Sequence, residues 1–155
     1  MPGTTPNQER RGAAAVAAFA RIGQVWRRVF AERQLLLRSG GRVIFTSSLG
    51  ARTALPDYAV YAISKSAVEK LTVILAKDFG PSNITVNCVS PGLIASDANA
   101  DIRANDEIRT YLERTTPLRR LGVPSDLSGV VTSLVSEKMG YVTGQIIEVT
   151  GGMSL

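Results

Sequence analysis

Apolar positions recur along the chain in two rhythms. From 13 to 38 an alanine-rich run gives way to Phe19, Ile22, Trp26, Val29 and Phe30 at helical spacing. This predicts one long helix, weakened at Gly23 and closed by Ser39-Gly40-Gly41. "RVIFTSS" (42–48) follows as a short apolar strand, and a Gly/Pro/Asp-containing loop leads to Asp57, the expected N-cap of the next helix. That helix, 58–79, carries two apolar stripes: Val60, Ile63, Ala67, Leu71 and Ile74 form one, and Tyr61, Val68, Leu75 and Phe79 the other. A helix apolar on two sides is expected to be buried on two sides, by a sheet and by a partner helix. "GPSN" (80–83) breaks the chain, "ITVNCVS" (84–90) reads as a strand buried on both faces, and Pro91-Gly92 ends it. Helices are expected near 105–115 and 125–137, and "GQIIEVTGG" (144–152) is the last strand. Strands alternating with helices imply βαβ crossovers and a parallel sheet, here of about three strands.

Composition narrows the classes. With 45% hydrophobic and 20% charged residues the chain reads as soluble and globular. Residues 1–12 (MPGTTPNQERRG) are expected to be an unordered leader, and 13–155 a single domain. Arg10-Arg11 and Ala18-Phe19-Ala20 faintly imitate a signal peptide, but the helical spacing runs straight through the supposed cut. No apolar run approaches the roughly 18 residues of a membrane span. Cys88 is alone, which suits a reducing compartment, and the expected location is cytoplasmic. No histidine is present, so Ser-His-Asp and Cys-His mechanisms are excluded, as are the common histidine metal sites. Acid/base chemistry must come from Tyr, Lys, Asp or Glu.

The net charge of +5 is uneven: residues 1–52 carry nine arginines against Glu9 and Glu32. Those arginines lie along a helix-like stretch without interleaved aromatic residues, so they read as a solvated helix face and not as a nucleic-acid footprint.

The candidate chemistry lies in "DYAVYAISK" (57–65). Tyr61 and Lys65, four apart, share one helix face. A phenol is a poor base near neutrality, with a pKa of about 10, and a nearby ammonium favours its phenolate. Such a pair suits hydride transfer, in which a proton must move to or from a carbonyl or alcohol oxygen. By itself the spacing is equally an ordinary helical turn. The other tyrosines lack it, since Ala62, Thr115 and Gln145 stand four after Tyr58, Tyr111 and Tyr141. The surroundings sharpen it. Ser48 ends a strand thirteen residues before Tyr61, where open α/β sheets place ligands. Pro91-Gly92 ends the next strand at the same edge, and Ser96 follows with a hydroxyl.

Together these features resemble the short-chain dehydrogenase/reductase family. The likeness runs from about Gly41 to Gly152 and includes "GRVIFTSS", Pro56, "YAISKSAVEKLTVILAKDFGPSNITVNCVSPGLIAS", "PLRRLGVPSDL" and "VTGQIIEVTGG". Within the family it looks most like reductases of 3-oxoacyl, polyol and polyketide type. The resemblance implies Tyr61 as general acid/base and as a cofactor-binding residue, and Lys65 as the cation that favours its phenolate and hydrogen-bonds the nicotinamide ribose. It implies Ser48 as the group that orients the substrate carbonyl. Pro91, Gly92, Ile94 and Ser96 would line the nicotinamide half of the cofactor site, Ser96 replacing the usual threonine. The implied cofactor is NAD(P)(H), with NADP favoured, and no metal. The substrate is a small carbonyl or alcohol compound, with residues 95–115 as its loop. Helices 13–38 and 58–79 would form a dimer interface, with a second copy or with a full-length relative.

The departures shape the expectation. No Gly-rich turn after an opening strand is present, so the loop that cradles a pyrophosphate is missing. The residue that selects NAD or NADP is missing with it, and Arg21 stands where the family has an Asn. The expected fold is therefore α/β, a partial Rossmann-like doubly wound parallel sheet truncated at its N-terminal side, with similarity beginning near Gln24. The alternative is a non-catalytic fragment or pseudoenzyme acting through its helical interface.

Overall fold

The computed structural model describes residues 23–24, 27–28, 31, 40–53, 58–96, 100, 104–153 and 155. The expected leader and most of the 13–38 helix lie outside these, as do Pro56 and the expected cap Asp57; residues 23, 24, 27, 28 and 31 are helical.

Three strands form one parallel sheet in the order β1-β2-β3: β1 Arg42–Thr46, β2 Thr85–Pro91 and β3 Ile146–Val149. Helix α1 (Ala59–Phe79) joins β1 to β2, and α2 (Asp106–Thr115) and α3 (Pro124–Val135) stand between β2 and β3. Each parallel pair is thus joined by a helical crossover, as parallel pairing requires. The three strands, three of the expected helices and the parallel sheet agree with the sequence pattern. Their ends shift by a residue or two, and β3 is shorter than the apolar run 144–152.

The registers Val43↔Val86 and Phe45↔Cys88↔Ile146 put one row of apolar side chains under α1. There Leu71, Leu75, Ala76 and Phe79 join Phe45, Ile84, Val86 and Cys88 in a single core cluster. Asn87 and Val89, alternating to the opposite face, are buried as well, so central β2 is covered on both sides. Asn87 satisfies its amide there, donating to the Val142 carbonyl (2.8 Å) and accepting from the Gln145 N–H (3.1 Å), which fixes the approach to β3. Helix α3 packs on β1 and β2 and buries Leu134 outside the α1 cluster.

One expectation is only half met. Of the two stripes on α1, the side with Leu75 and Phe79 is buried, whereas Ile63 (54% exposed) and Ile74 (50%) face outward beside Val73. No element among the described residues covers them. No helix of the described residues is long and apolar enough to cross a membrane.

Candidate active site

The carboxyl ends of β1 and β2 and the first turns of α1 meet at one edge of the sheet. Beyond β1 the ladder continues one step, the Ser47 N–H donating to the Val89 carbonyl at 2.8 Å. Ser48 then leaves the sheet and caps a short 3₁₀ turn over Leu49–Ala51, its hydroxyl accepting from the Gly50 N–H at 3.1 Å. The capping role and the functional role are compatible. The hydroxyl oxygen is used as an acceptor, so its own hydrogen is left to donate outward.

Tyr61 reaches the same turn from α1. A Cβ built on Gly50 would lie 3.0 Å from Tyr61 Cε1 and 3.4 Å from Ser48 Oγ, so ring and hydroxyl flank one glycine. Tyr61 is 45% exposed. One turn on, Lys65 Nζ lies 5.7 Å from the Tyr61 ring centroid and donates to the Thr46 carbonyl at 3.1 Å. An ammonium has three donors, and its other two make no hydrogen bond among the described residues. The structure therefore brings Ser48, Tyr61 and Lys65 to one open spot.

Pro91 and Gly92 end β2 at this edge. The Gly92 N–H donates to the Val149 carbonyl at 3.0 Å, and a Cβ there would meet Thr150 Cα at 2.9 Å. The glycine is thus already required by the close passage of β3's end. Ile94 is buried and bridges to Gly122, with the Ala95 N–H donating to the Gly122 carbonyl at 2.8 Å. Ser96 is half-buried in a bend after it.

Three charged residues at this edge have no counterpart in the sequence reading. Glu69, one turn beyond Lys65, accepts from the Ser47 hydroxyl at 2.9 Å and pairs with Arg52 at 3.5 Å, and Arg52 also pairs closely with Glu148 of β3. The one available signal was the repeat of four through Tyr61, Lys65 and Glu69. Farther away, Arg120 grips Asp126 with both nitrogens (2.7 and 2.9 Å). That pair, helped by the Val123 N–H, draws the Asp126 pKa down to about 2. Cys88 lies under α1, where burial pushes its thiol pKa up, so it is core and not nucleophile.

A family model described as "Enoyl-(Acyl carrier protein) reductase" matches residues 15–154. The likeness thus begins upstream of Gln24, the start expected from the sequence. Dehydrogenase/reductase SDR family member 4 of Sus scrofa is 39% identical over 115 residues, covering 74% of this chain and 41% of that protein. A putative NAD(P)-dependent gluconate 5-dehydrogenase from Beutenbergia cavernae, solved with bound NADP, superposes with a TM-score of 0.77 at 30% identity, covering 83% of this chain and 52% of that one. A 4-hydroxyisoleucine dehydrogenase complexed with NADH gives the same TM-score at 27% identity, covering 84% and 54%. The chain therefore spans about half the length of the proteins it matches, or less.

Proposed function

The chain belongs to the short-chain dehydrogenase/reductase family, and from that premise we propose that its site interconverts a carbonyl and a secondary alcohol with NAD(P)(H). The observation that carries this reading is the Tyr61 ring and the Ser48 hydroxyl flanking Gly50, with the Lys65 ammonium 5.7 Å from the centroid of that ring. The nicotinamide supplies or accepts the hydride when bound. Tyr61 Oη gives the proton to, or takes it from, the substrate oxygen, and Ser48 donates its hydrogen to that oxygen and holds it in place. Lys65 presents its remaining donors to a diol such as a ribose. Pro91, Gly92, Ile94 and Ser96 would line the nicotinamide half of the cofactor. We propose NADP over NAD on the resemblance to 3-oxoacyl reductases; of the two neighbours, one holds NADP and the other NADH.

The test is titration of NADPH and NADH, followed by nicotinamide fluorescence. NADPH is expected to bind the tighter of the two. Lys65→Met should weaken it by about tenfold or more, the worth of a hydrogen bond from a charged donor. Equal affinity in wild type and Lys65→Met would remove Lys65 from the cofactor site.

A second reading has its own observation. Ile63, Val73 and Ile74 make an open apolar strip on α1, which favours pairing with a second copy through this helix. Size-exclusion chromatography of Ile74→Lys beside the wild type checks it: the wild type should elute as a dimer or larger and the variant later.

A further inference from the structure

We propose that Glu69 is a positioning residue, which holds the loop carrying Ser48 in register with Tyr61. The inference rests on the role given to Ser48 above and goes beyond it, from the groups that meet substrate to the one that fixes their spacing.

The sheet makes the setting. The row Phe45, Cys88 and Ile146 belongs to the apolar core under α1. The next row facing the same way, two residues on, is polar throughout: Ser47 (3% exposed), Ser90 (0%) and Glu148. The Ser90 hydroxyl finds no partner among the described residues. Sequence and burial therefore put a polar layer on top of the core, directly beneath the site.

Glu69 ties this layer to α1. One oxygen accepts from the Ser47 hydroxyl (2.9 Å), and the other pairs with Arg52 (3.5 Å). Those two residues begin and end the segment that holds Ser48 and Gly50. The same stretch of α1 fastens the segment elsewhere: Lys65 Nζ donates to the Thr46 carbonyl (3.1 Å), and the Ser66 hydroxyl donates to the Ala51 carbonyl (2.8 Å). Tyr61, Lys65 and Glu69 thus form one stripe, four residues apart, that meets Gly50, the strand end at Thr46, and Ser47 with Arg52. Glu69's side chain is only 15% exposed, so it is not a solvated surface charge, and its attachments lie on both sides of Ser48. Glu148 steadies Arg52 from β3, which links the loop to the strand beside Pro91 and Gly92.

The experiment compares wild type, Glu69→Ala, Glu69→Gln and Arg52→Gln as full chains. Amide hydrogen exchange is read over 48–52, whose Gly50, Ala51 and Arg52 N–H groups bond within the loop, with β2 as the internal reference. Glu69→Ala should speed exchange of 48–52 about tenfold or more while β2 stays within about twofold. Glu69→Gln, which keeps an acceptor for Ser47, should recover most of the protection. In NADPH-dependent carbonyl reduction, kcat should fall about tenfold in Glu69→Ala with the KM for cofactor unchanged, as a small misplacement implies. Unchanged loop exchange, or a rise shared equally by β2, would overturn the proposal. Should Glu69→Ala fail to fold, Arg52→Gln, altered at a side chain 42% exposed, must still loosen 48–52 selectively. Absence of turnover in the wild type would defeat the oxidoreductase reading, and the exchange comparison would then decide the hold of Glu69 on the loop by itself.

Discussion

Gly50→Ala isolates the geometry of the site from the stability of the fold. The new methyl would sit 3.0 and 3.3 Å from Tyr61 Cε1 and Cδ1 and 3.4 Å from Ser48 Oγ. Carbon atoms in good contact stand about 3.5–4.0 Å apart, so the ring must retreat by about 0.5–1 Å. The 45% exposure of Tyr61 lets it move toward solvent without disturbing the core. Gly50 is not among the residues with a positive φ, so alanine fits the backbone there. The loss of freedom in the unfolded chain then returns about 0.4–1 kcal/mol. Net stability should stay within about 1 kcal/mol of wild type, whereas a displacement of this size between acid and carbonyl-orienting group should lower kcat by about 10- to 100-fold. The assay pairs initial rates of NADPH oxidation with urea unfolding. Gly80→Ala, whose Cβ meets nothing within 4 Å, serves as the control that gains the same small stability and leaves kcat unchanged. A Gly50→Ala protein with wild-type kcat would refute the claim that Tyr61 and Ser48 work across this glycine.

Other consequences follow from packing and charge. Phe79 is fully buried at the end of α1 against β2, and Phe79→Ala should cost about 3–5 kcal/mol in urea unfolding. The Asp126 pKa, about 2 in the folded chain, lies below the roughly 3.9 of an unfolded Asp. Its stabilising contribution is therefore complete above about pH 4 and lost as pH falls through about 2. Thermal melts of wild type and Asp126→Asn should differ at pH 6 and converge toward pH 2. Cys88, its thiolate disfavoured by burial, should resist a thiol reagent at pH 8 until the chain is unfolded.

Much of this was legible in the sequence, for reasons tied to particular residues. Val86, Cys88 and Val89 lie in a strand covered on both faces, and apolar residues on both alternating sides of one run are the mark of that environment. Leu71, Leu75 and Phe79 keep the helical period because one face of α1 rests on that strand. Tyr61, Lys65 and Ser48 could be paired on paper because their spacing along a helix and at a strand end is local. The clasp of Glu69, Ser47, Arg52 and Glu148 could not. It depends on how α1 crosses the sheet, and one carboxylate among thirteen acidic residues carries no period that marks it. The outward stripe of Ile63 and Ile74 shows the opposite limit. Its hydrophobicity was evident, but a pattern does not name the surface that covers it.

The central claim is that Tyr61 moves the proton. The most direct measurement is carbonyl reduction with millimolar NADPH, comparing wild type with Tyr61→Phe, which removes only the phenolic oxygen. Turnover is expected in the wild type. It should fall by about 10²-fold or more in Tyr61→Phe, the worth of a positioned acid, with melting temperature and NADPH affinity unchanged. Equal rates in the two proteins, or no NADPH-dependent rate in either, would contradict the account.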